Sequence, residues 1–361
     1  MRTSMVYIMT NHDVMNKVIA FRREINGILT FMDSYPTNGK GTGTREVSTQ
    51  TPNDGIDPLA SQGSLALSRD GRFLFAVNTG SDSISSFIIK DTGELVLADV
   101  RPSGGAQPNG LDVYDDLLYV SNVGNTANNF TSNITGFHIH DTGHLTHIPG
   151  STHSLSTMNA QPSRVGFTPD GSKIVISELK TNRLSVFHVN NDGTVTGPIM
   201  NDSHGMGPFG SCFLSSGLLL VTEAESNALS SYSVSENGIL HVISGSVPTG
   251  QRATCWVAAT KNECFAYATN TGSGTITAYR IDSNGALTVI GRIRSTPAGT
   301  PTGLPMDVGM SKDGRNFYTF NGNQGTVSVF SISQENGVLD RLQVAEWTKT
   351  RYFWGQGLAV L

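Results

Sequence analysis

Short runs of alternating apolar and polar residues, separated by turns that contain glycine, recur along the whole chain. The clearest copy spans residues 63–95 and reads GSLALSRDGRFLFAVNTGSDSISSFIIKDTGEL. Its first run ends at the turn Asp70-Gly71, its second ends on Asn78, and its third leads into a turn at Gly93. Strands of about five residues joined by Asp-Gly turns are typical of a β-meander. The segment therefore predicts a unit of three to four short antiparallel strands.

The same unit recurs seven times. Each copy carries a turn glycine two positions before an apolar residue, and these glycines are Gly27, Gly93, Gly143, Gly193, Gly238, Gly285 and Gly337. Their successive separations are 66, 50, 50, 45, 47 and 52 residues. A unit of three or four strands repeated about every 45–50 residues is the signature of a β-propeller, and no window shows helical periodicity. We predict an all-β fold, a seven-bladed β-propeller.

The two ends of the chain are predicted to share one blade. Residues 5–11 have the pattern of a second strand, but no first strand precedes them. The C-terminal sequence QGLAV at 356–360 resembles QGSLAL at 62–67, where a first strand begins. We expect the C-terminal strand to lie innermost in the first blade, because ladder hydrogen bonds then close the ring without an open edge. The expected organisation is one domain over residues 1–361, with blade 1 shared between about 5–35 and 354–361.

Composition and charge argue against several classes of function. The net charge is −5, only 15% of the residues are charged, and no run of Lys and Arg suggests a nucleic-acid surface. No apolar run is long enough to span a bilayer, and the N-terminus has no secretory signal. Cys212, Cys255 and Cys264 lack metal-binding spacing and are expected to be buried free thiols in a reducing compartment. We expect a soluble cytoplasmic protein, a monomer or weak homo-oligomer, with no nucleic-acid or membrane partner.

Candidate site residues lie at the ends and starts of the predicted strands. In a propeller, second-strand ends and first-strand starts meet around one mouth of the central channel, and a concave site of this kind is the default place for a ligand. Polar residues close the second strands of six units: Asn78, Asn122, Glu178, Glu223, Asn270 and Asn321. Counting back 14 residues from three of these ends places Arg164, Trp256 and Asp307 at first-strand starts. The corresponding residues of the other units are Ser64, Gly110, Gly210 and Gly357.

This combination of residue types suits the hydrolysis of a lactone. The reaction needs a base that deprotonates water and a donor that stabilises the developing oxyanion. Glu178 or Glu223 would act as the base, and Arg164 would act as the donor. The asparagine amides, the ring of Trp256 and the carboxyl group of Asp307 would then bind the substrate.

Each of these residues also has a structural explanation. Asn at the end of a propeller strand caps the tight turn that follows. Arg164 and Glu178 suit a structural ion pair equally well, and Trp256 suits filling of the channel. The two long connections, residues 37–62 and 124–133, are either binding loops or solvent-exposed loops without a binding role.

Several motifs are similar to those of a known family. They are SRDGRFLFAVN at 68–78, QPSRVGFTPDG at 161–171, CWVAATKNECFAYATNTGSGTI at 255–276, MSKDGRNFYTFNGNQGTVSVF at 310–330 and the C-terminal GQGLAV. Over essentially its whole length the chain resembles the seven-bladed propeller lactonases, which include bacterial 6-phosphogluconolactonase and the fungal carboxymuconate lactonizing enzyme. The resemblance implies a hydrolase of a small lactone in carbohydrate metabolism, which works without a metal or other cofactor.

The chain departs from that family at one predicted site position. Family members resemble one another in carrying His at first-strand starts, and this chain has Arg164 in the matching segment. His204 is the histidine near the predicted mouth and a candidate acid or base, and Arg252, together with Arg45, is a candidate for binding an anionic substrate. Two other functions stay open. One is a lactonizing isomerase of the muconate type, and the other is a non-catalytic propeller that binds a small molecule or a protein.

Overall fold

Seven antiparallel β-sheets form the blades of a propeller in the computed structural model, which describes residues 3–47, 57–347 and 355–361. The innermost strands of neighbouring blades contact one another around the whole ring and enclose a central channel. Each blade is a meander, because strands that follow one another along the chain pair antiparallel. The predicted all-β, seven-bladed propeller is confirmed.

The strands are numbered along the chain. Blade 1 contains β1 (Met5–Met9), β2 (Lys17–Arg23) and β3 (Leu29–Pro36). Blade 2 contains β4 (Leu65–Leu67), β5 (Phe73–Asn78), β6 (Ser83–Ile89) and β7 (Leu95–Pro102). Blade 3 contains β8 (Pro108–Tyr114), β9 (Leu117–Asn122), β10 (Asn133–Ile139), β11 (Leu145–His147) and β12 (His153–Ser154). Blade 4 contains β13 (Pro162–Phe167), β14 (Lys173–Glu178), β15 (Arg183–Val189) and β16 (Val195–Asp202).

The remaining blades follow the same order. Blade 5 contains β17 (Pro208–Phe213), β18 (Leu219–Glu223), β19 (Ala228–Val234) and β20 (Leu240–Pro248). Blade 6 contains β21 (Thr254–Ala259), β22 (Phe265–Asn270), β23 (Thr275–Ile281) and β24 (Leu287–Arg294). Blade 7 contains β25 (Pro305–Met310), β26 (Asn316–Asn321), β27 (Thr326–Ile332) and β28 (Leu339–Glu346). The last strand is β29 (Leu358–Val360).

The C-terminal strand closes the ring. Strand β29 pairs antiparallel with β1, with Leu358 opposite Ile8 and Val360 opposite Val6. It is therefore the innermost strand of blade 1, as the sequence predicts. Ladder hydrogen bonds thus join the two ends of the chain, and no strand edge is left open between the first and last blades.

The repeated turn glycine lies between the third and fourth strands of every blade. Its backbone φ ranges from +73° at Gly337 to +89° at Gly27, a region that glycine adopts without the steric cost of a Cβ. In four blades its carbonyl accepts a hydrogen bond from a tyrosine hydroxyl of the preceding blade, for example from Tyr119 to Gly193 over 2.7 Å. The turn therefore also links neighbouring blades.

The two faces of the propeller carry different turns. The upper face carries the ends of the second strands and the starts of the first strands, where the sequence places the site. The lower face carries the turns between first and second strands, such as the one at Asp170, whose Oδ1 accepts a hydrogen bond from Thr168 Oγ1 (2.6 Å).

Helical structure among the described residues is limited to the 3-10 turns Thr79–Ser81, Thr126–Asn128 and Thr271–Ser273. Within the same ranges no helix has both the length and the apolar character that crossing a membrane requires.

Candidate functional site

The central channel is lined by alternate residues of the seven innermost strands, because side chains alternate between the two sides of a strand. The upper layer contains Arg164, Trp256, Asp307, Ser64, Gly110, Gly210 and Gly357. The lower layer lies two residues further along each strand and contains Ala66, Asp112, Gly166, Cys212, Ala258, Gly309 and Ala359. Small residues dominate the lower layer, so space is left at that end of the channel.

The upper end of the channel is closed by the last part of the connection 37–62. Residues 59–62, which we call the plug, are buried between the starts of the innermost strands. The backbone N–H of Gln62 donates to the Ser163 carbonyl of β13 (2.8 Å), and its Nε2 donates to the Val257 carbonyl of β21 (3.0 Å). The plug therefore reaches from blade 4 to blade 6, and the chain itself fills the mouth where the sequence places the ligand.

Trp256 lies directly beneath the plug. Its indole Nε1 donates to the Ser61 carbonyl over 3.0 Å, and its ring meets Phe209 edge to face at 5.1 Å between centroids. Trp256 has no exposed surface. In this position it fills the channel and supports the plug, and its ring offers no open face to a ligand.

Asp307 is held by backbone donors from two innermost strands. Oδ1 accepts the Val308 N–H (2.9 Å), and Oδ2 accepts the Leu358 N–H (3.0 Å). Burial raises the pKa of Asp307 to about 7, although these N–H groups and the charge of Arg164 act in the opposite direction. The carboxyl group thus ties together the innermost strands of blades 7 and 1.

Glu178, one of the two predicted bases, is fully buried and bonded to its own blade and the loop before it. Its carboxylate accepts hydrogen bonds from the N–H and the hydroxyl of Ser156. The hydroxyls of Thr181 and Ser185 donate to the same carboxylate over 2.8 and 2.6 Å. Four donors therefore surround Glu178, as expected for a group that caps a strand end.

Glu223, the other predicted base, has a similar environment in blade 5. It accepts the Gly205 N–H (2.9 Å) and the hydroxyls of Ser246 (2.6 Å) and Ser230 (2.5 Å), and it is fully buried. Among the described residues, no hydrogen bond or ion pair joins either glutamate to Arg164. A role for Glu178 or Glu223 as a base stays a prediction.

The four asparagines at second-strand ends are also buried and bonded across to the third strand. Asn78 Nδ2 donates to Ser85 Oγ over 2.7 Å. Corresponding bonds join Asn122 with Asn133, Asn270 with Thr277, and Asn321 with Ser328. These bonds explain why an amide stands at each strand end, and a role in substrate binding stays a prediction.

His204 and Arg252 are exposed on the upper surface. The Nδ1 atom of His204 is 2.9 Å from the hydroxyl of Ser246 on β20, the outermost strand of blade 5. Arg252 Nη2 donates to the Gly272 carbonyl over 3.0 Å. The structure therefore places both side chains away from the group formed by Arg164, Trp256 and Asp307.

Arg164 is the predicted catalytic residue whose side chain reaches an open space. Its Nη2 lies 3.6 Å from Asp112 Oδ2, and the two side chains are 15% and 24% exposed. The Nε atom of Arg164 is buried and has no hydrogen-bond partner among the described residues. On the side of the plug, the guanidinium packs so closely against Gly63 that a Cβ there would clash with Nη1.

Arg164 and Asp112 line a cavity of about 290 Å³ that opens toward the lower face. Phe167 and Cys212 contribute apolar wall, and Arg69 from the turn between β4 and β5 stands at the rim. Burial raises the pKa of the Cys212 thiol to about 12, so it does not supply a thiolate nucleophile at neutral pH. The cavity therefore offers a cation and a carboxylate beside an apolar surface.

Asp112 and the plug were not found from the sequence. Asp112 lies between Leu111 and Val113 in an innermost strand, and a charged residue inside such an apolar run was the available signal. No pattern in residues 59–62 indicates that they cross the channel.

The cysteines are unpaired, as expected, but they differ in exposure. Cys255 is buried, whereas Cys264 is exposed because it lies in the turn between β21 and β22. The expectation that all three are buried was therefore wrong. Within the described ranges, no three His, Cys, Asp or Glu residues lie close enough together to hold a metal ion.

Comparison with known families agrees with this architecture. A family model described as "Lactonase, 7-bladed beta-propeller" matches residues 3–162 and 126–350. The chain therefore belongs to the seven-bladed β-propeller lactonase family. No curated protein matches the sequence.

Solved structures share the fold at low sequence identity. A putative 6-phosphogluconolactonase from Bacteroides fragilis is 17% identical, with 99% of this chain and 98% of that chain covered and a TM-score of 0.69. The periplasmic gluconolactonase of Pseudomonas aeruginosa is 16% identical, with 99% of each chain covered and a TM-score of 0.74. A protein from Lactobacillus plantarum is 18% identical, with 100% of each chain covered and a TM-score of 0.74. At these identities the likeness establishes the fold.

Proposed function

We propose that the protein hydrolyses a small lactone in the cavity that Arg164 and Asp112 line. The observation that carries the proposal is the pair itself, with a guanidinium 3.6 Å from a carboxylate and both partly open to the cavity. Lactone hydrolysis needs a donor for the oxyanion and a base for the attacking water. Membership of the lactonase family supports this class of reaction.

Arg164 is the group that polarises the carbonyl of the lactone. Its Nη2 lies 3.6 Å from Asp112 Oδ2 beside the cavity, and its buried Nε has no hydrogen-bond partner among the described residues. When the carbonyl oxygen of a lactone binds this guanidinium, the carbonyl carbon becomes more electrophilic. As water attacks, the same N–H groups stabilise the negative charge that develops on that oxygen.

Asp112 is the base. The Phe167 N–H donates to Oδ2 over 2.8 Å and fixes the carboxylate in position. No hydrogen bond from the described residues ends on Oδ1, which leaves that oxygen for a water molecule. Asp112 takes a proton as the water adds to the carbonyl carbon, the ring C–O bond then breaks, and the proton passes to the leaving oxygen. The product is a hydroxy acid.

The size of the cavity sets the class of substrate. About 290 Å³ is at the lower end of the range for sites that hold small molecules. A single five- or six-membered lactone ring fits this volume, and Phe167 supplies an apolar wall for the face of the ring.

A non-catalytic propeller that binds a small molecule is favoured by two observations. Both glutamates predicted as bases are themselves buried with their oxygens bonded to neighbouring donors, and the plug fills the predicted mouth. A binding protein would retain the ligand in the Arg164 cavity without turnover.

Hydrolysis of a panel of five- and six-membered lactones tests the proposal, measured as acid release at constant pH. We expect Arg164→Met and Asp112→Asn to lower kcat/KM by about 100-fold or more, as losses of an oxyanion donor or a base usually do. Arg315→Met is the matched control, because Arg315 is an exposed arginine on the same face. Full turnover in folded Arg164→Met and Asp112→Asn variants would overturn the assignment, and ligand binding by the wild type without turnover would favour the binding protein.

A further inference from the structure

His204, Ser246 and Glu223 form a hydrogen-bonded chain on the upper face of blade 5, which the proposed lactone reaction does not use. Nδ1 of His204 lies 2.9 Å from Ser246 Oγ, and the Ser246 hydroxyl donates to Glu223 Oε2 over 2.6 Å. Glu223 has no exposed surface, whereas His204 is exposed. One hydroxyl group therefore connects a buried carboxylate to an imidazole at the protein surface.

The hydrogen bonds of Glu223 determine where the protons of this chain lie. The Gly205 N–H and the Ser230 hydroxyl donate to Oε1, and the Ser230 oxygen itself accepts the Ser246 N–H over 2.7 Å. Because an ionised carboxylate only accepts hydrogen bonds, Ser246 donates its single hydroxyl proton to Glu223. The Ser246 oxygen is then an acceptor, so Nδ1 of His204 donates to it. This network assigns to His204 the tautomer with its proton on Nδ1 and a lone pair on Nε2.

The local backbone holds this arrangement in place. Ser246 has a φ of +46°, a left-handed conformation that non-glycine residues adopt at a cost. It lies where register shifts around Ser231 interrupt the pairing of β19 with β20. A Cβ on Gly245 would clash with Cε1, Nε2 and Cδ2 of His204, so the imidazole ring lies face-on against this glycine. Among the described residues no hydrogen bond reaches Nε2 of His204, which leaves its lone pair available to a ligand.

We propose that Nε2 of His204 is a nucleophile that accepts the acyl group of an activated ester, such as an aryl ester. The Nε2 lone pair bonds to the ester carbonyl carbon, the C–O bond to the aryl group breaks, and a phenolate leaves. Water then adds to the acyl carbon and gives one proton to solvent. The C–N bond breaks, the carboxylic acid leaves, and Nε2 regains its lone pair. This activity goes beyond lactone hydrolysis and does not depend on it.

Ser246 and Glu223 are positioning residues in this reaction. Bond formation at Nε2 places a positive charge on the imidazole of His204. The hydrogen bond from Nδ1 to Ser246, which in turn donates to the Glu223 carboxylate, stabilises that charge. Loss of the Ser246 hydroxyl should therefore slow acylation by about tenfold or more, as the loss of a hydrogen bond to a charged group does.

The class of ester follows from the donors around the imidazole. The backbone N–H groups of residues 204–207 all donate to side chains, which belong to Tyr232, Glu223, Ser226 and Asn182. None of these four N–H groups is left to form an oxyanion hole. The site therefore requires an ester whose leaving group is a stable anion. Met206, two residues from His204 and 55% exposed, offers apolar surface for an aryl group.

Hydrolysis of p-nitrophenyl acetate at pH 8, where free imidazoles are neutral, tests the activity through the absorbance of p-nitrophenolate. All variants carry Cys264→Ser, because the exposed thiol of Cys264 also reacts with this ester. We expect His204→Gln to lose the turnover and Ser246→Gly to slow it by about tenfold or more. Glycine is chosen at Ser246 because it adopts the positive φ without strain. His241→Gln is the matched control and should retain the full rate, because His241 is an exposed histidine on β20.

The tautomer of His204 gives a second readout, which a purely structural role of Ser246 would not change. NMR of the protein with 15N-labelled histidine should show a protonated Nδ1 and an unprotonated Nε2 at pH 8. The chain has nine histidines, and the signal lost in His204→Gln identifies this one. In Ser246→Gly we expect the proton to move largely to Nε2.

Three outcomes would overturn the inference: full turnover of the ester in His204→Gln, an unchanged rate in Ser246→Gly, or a protonated Nε2 in the wild type. Neither readout uses a lactone. Failure of lactone hydrolysis would therefore leave this inference intact, and an inert His204 would leave the proposed hydrolysis intact.

Discussion

Replacement of Asp307 by Asn should change how the stability of the protein depends on pH. The carboxyl group has a pKa of about 7 in the folded protein and 3.8 when exposed. A raised acid pKa means that the folded state holds its proton where the unfolded state loses it. Its contribution is therefore fully present below about pH 4 and is lost as the pH rises through 7. The full loss is about 4 kcal/mol, at 1.36 kcal/mol for each pKa unit.

Most of this loss of stability falls within a pH range in which unfolding can be measured. Between pH 5 and 8 the free energy of unfolding of the wild type should fall by about 3 kcal/mol relative to that of Asp307→Asn. Asn suits the left-handed backbone at this position, and it keeps an oxygen for one of the two N–H groups that Asp307 accepts from Val308 and Leu358. Urea unfolding of both proteins at pH 5, 6, 7 and 8, at constant ionic strength, measures the difference. Parallel stability curves for the two proteins would show that the pKa of Asp307 is not raised in the folded state.

Three further substitutions test how individual contacts support the fold. Glu178→Ala removes the acceptor for four donors, of which Ser185 is buried and the others are half-buried, and should cost about 3–5 kcal/mol, measured by urea unfolding; an unchanged midpoint would contradict its role as a cap. Tyr119→Phe leaves the Gly193 carbonyl without its donor and should cost about 1–2 kcal/mol in the same assay. Gly63→Ala places a Cβ against Arg164 at a φ of +90° and should displace the plug, seen as greater acrylamide quenching of tryptophan; unchanged quenching would contradict the close packing.

Much of the fold follows from local residue chemistry. The turn glycines carry a positive φ in the structure, and the apolar residue two positions later begins the fourth strand of each blade, as Leu95 does in blade 2 and Leu339 in blade 7. Asn78 and Glu178 end second strands at their predicted positions. Turn preference and strand alternation act over a few residues, so they can be identified directly in the sequence.

The site was less accessible, because it depends on contacts between distant segments. The count along the strands predicted that Arg164, Trp256 and Asp307 lie near the starts of innermost strands, and they lie there in β13, β21 and β25. It did not reveal that Arg164 extends toward the lower face to meet Asp112, since that direction is set by Gly63 above it and by the small lower layer beneath. Packing of this kind has no local pattern in the sequence.

The environments of Glu178 and Glu223 could not be predicted from the sequence either. Their chemistry suits a base, and their position at strand ends was predicted correctly. The hydroxyls that surround Glu178 and Glu223 come from third strands and neighbouring loops. Such partners become visible only when the blades are assembled.

We propose that lactone chemistry takes place in the lower cavity between Arg164 and Asp112. The most direct test is to locate the hydroxy acid produced from the fastest-hydrolysed lactone of the panel in a crystal of the protein. We predict its carboxylate at Arg164, with the body of the molecule against Phe167 and the plug in place. Density for the hydroxy acid at the upper mouth, beside Glu223 and the asparagines of the second-strand ends, would contradict the claim.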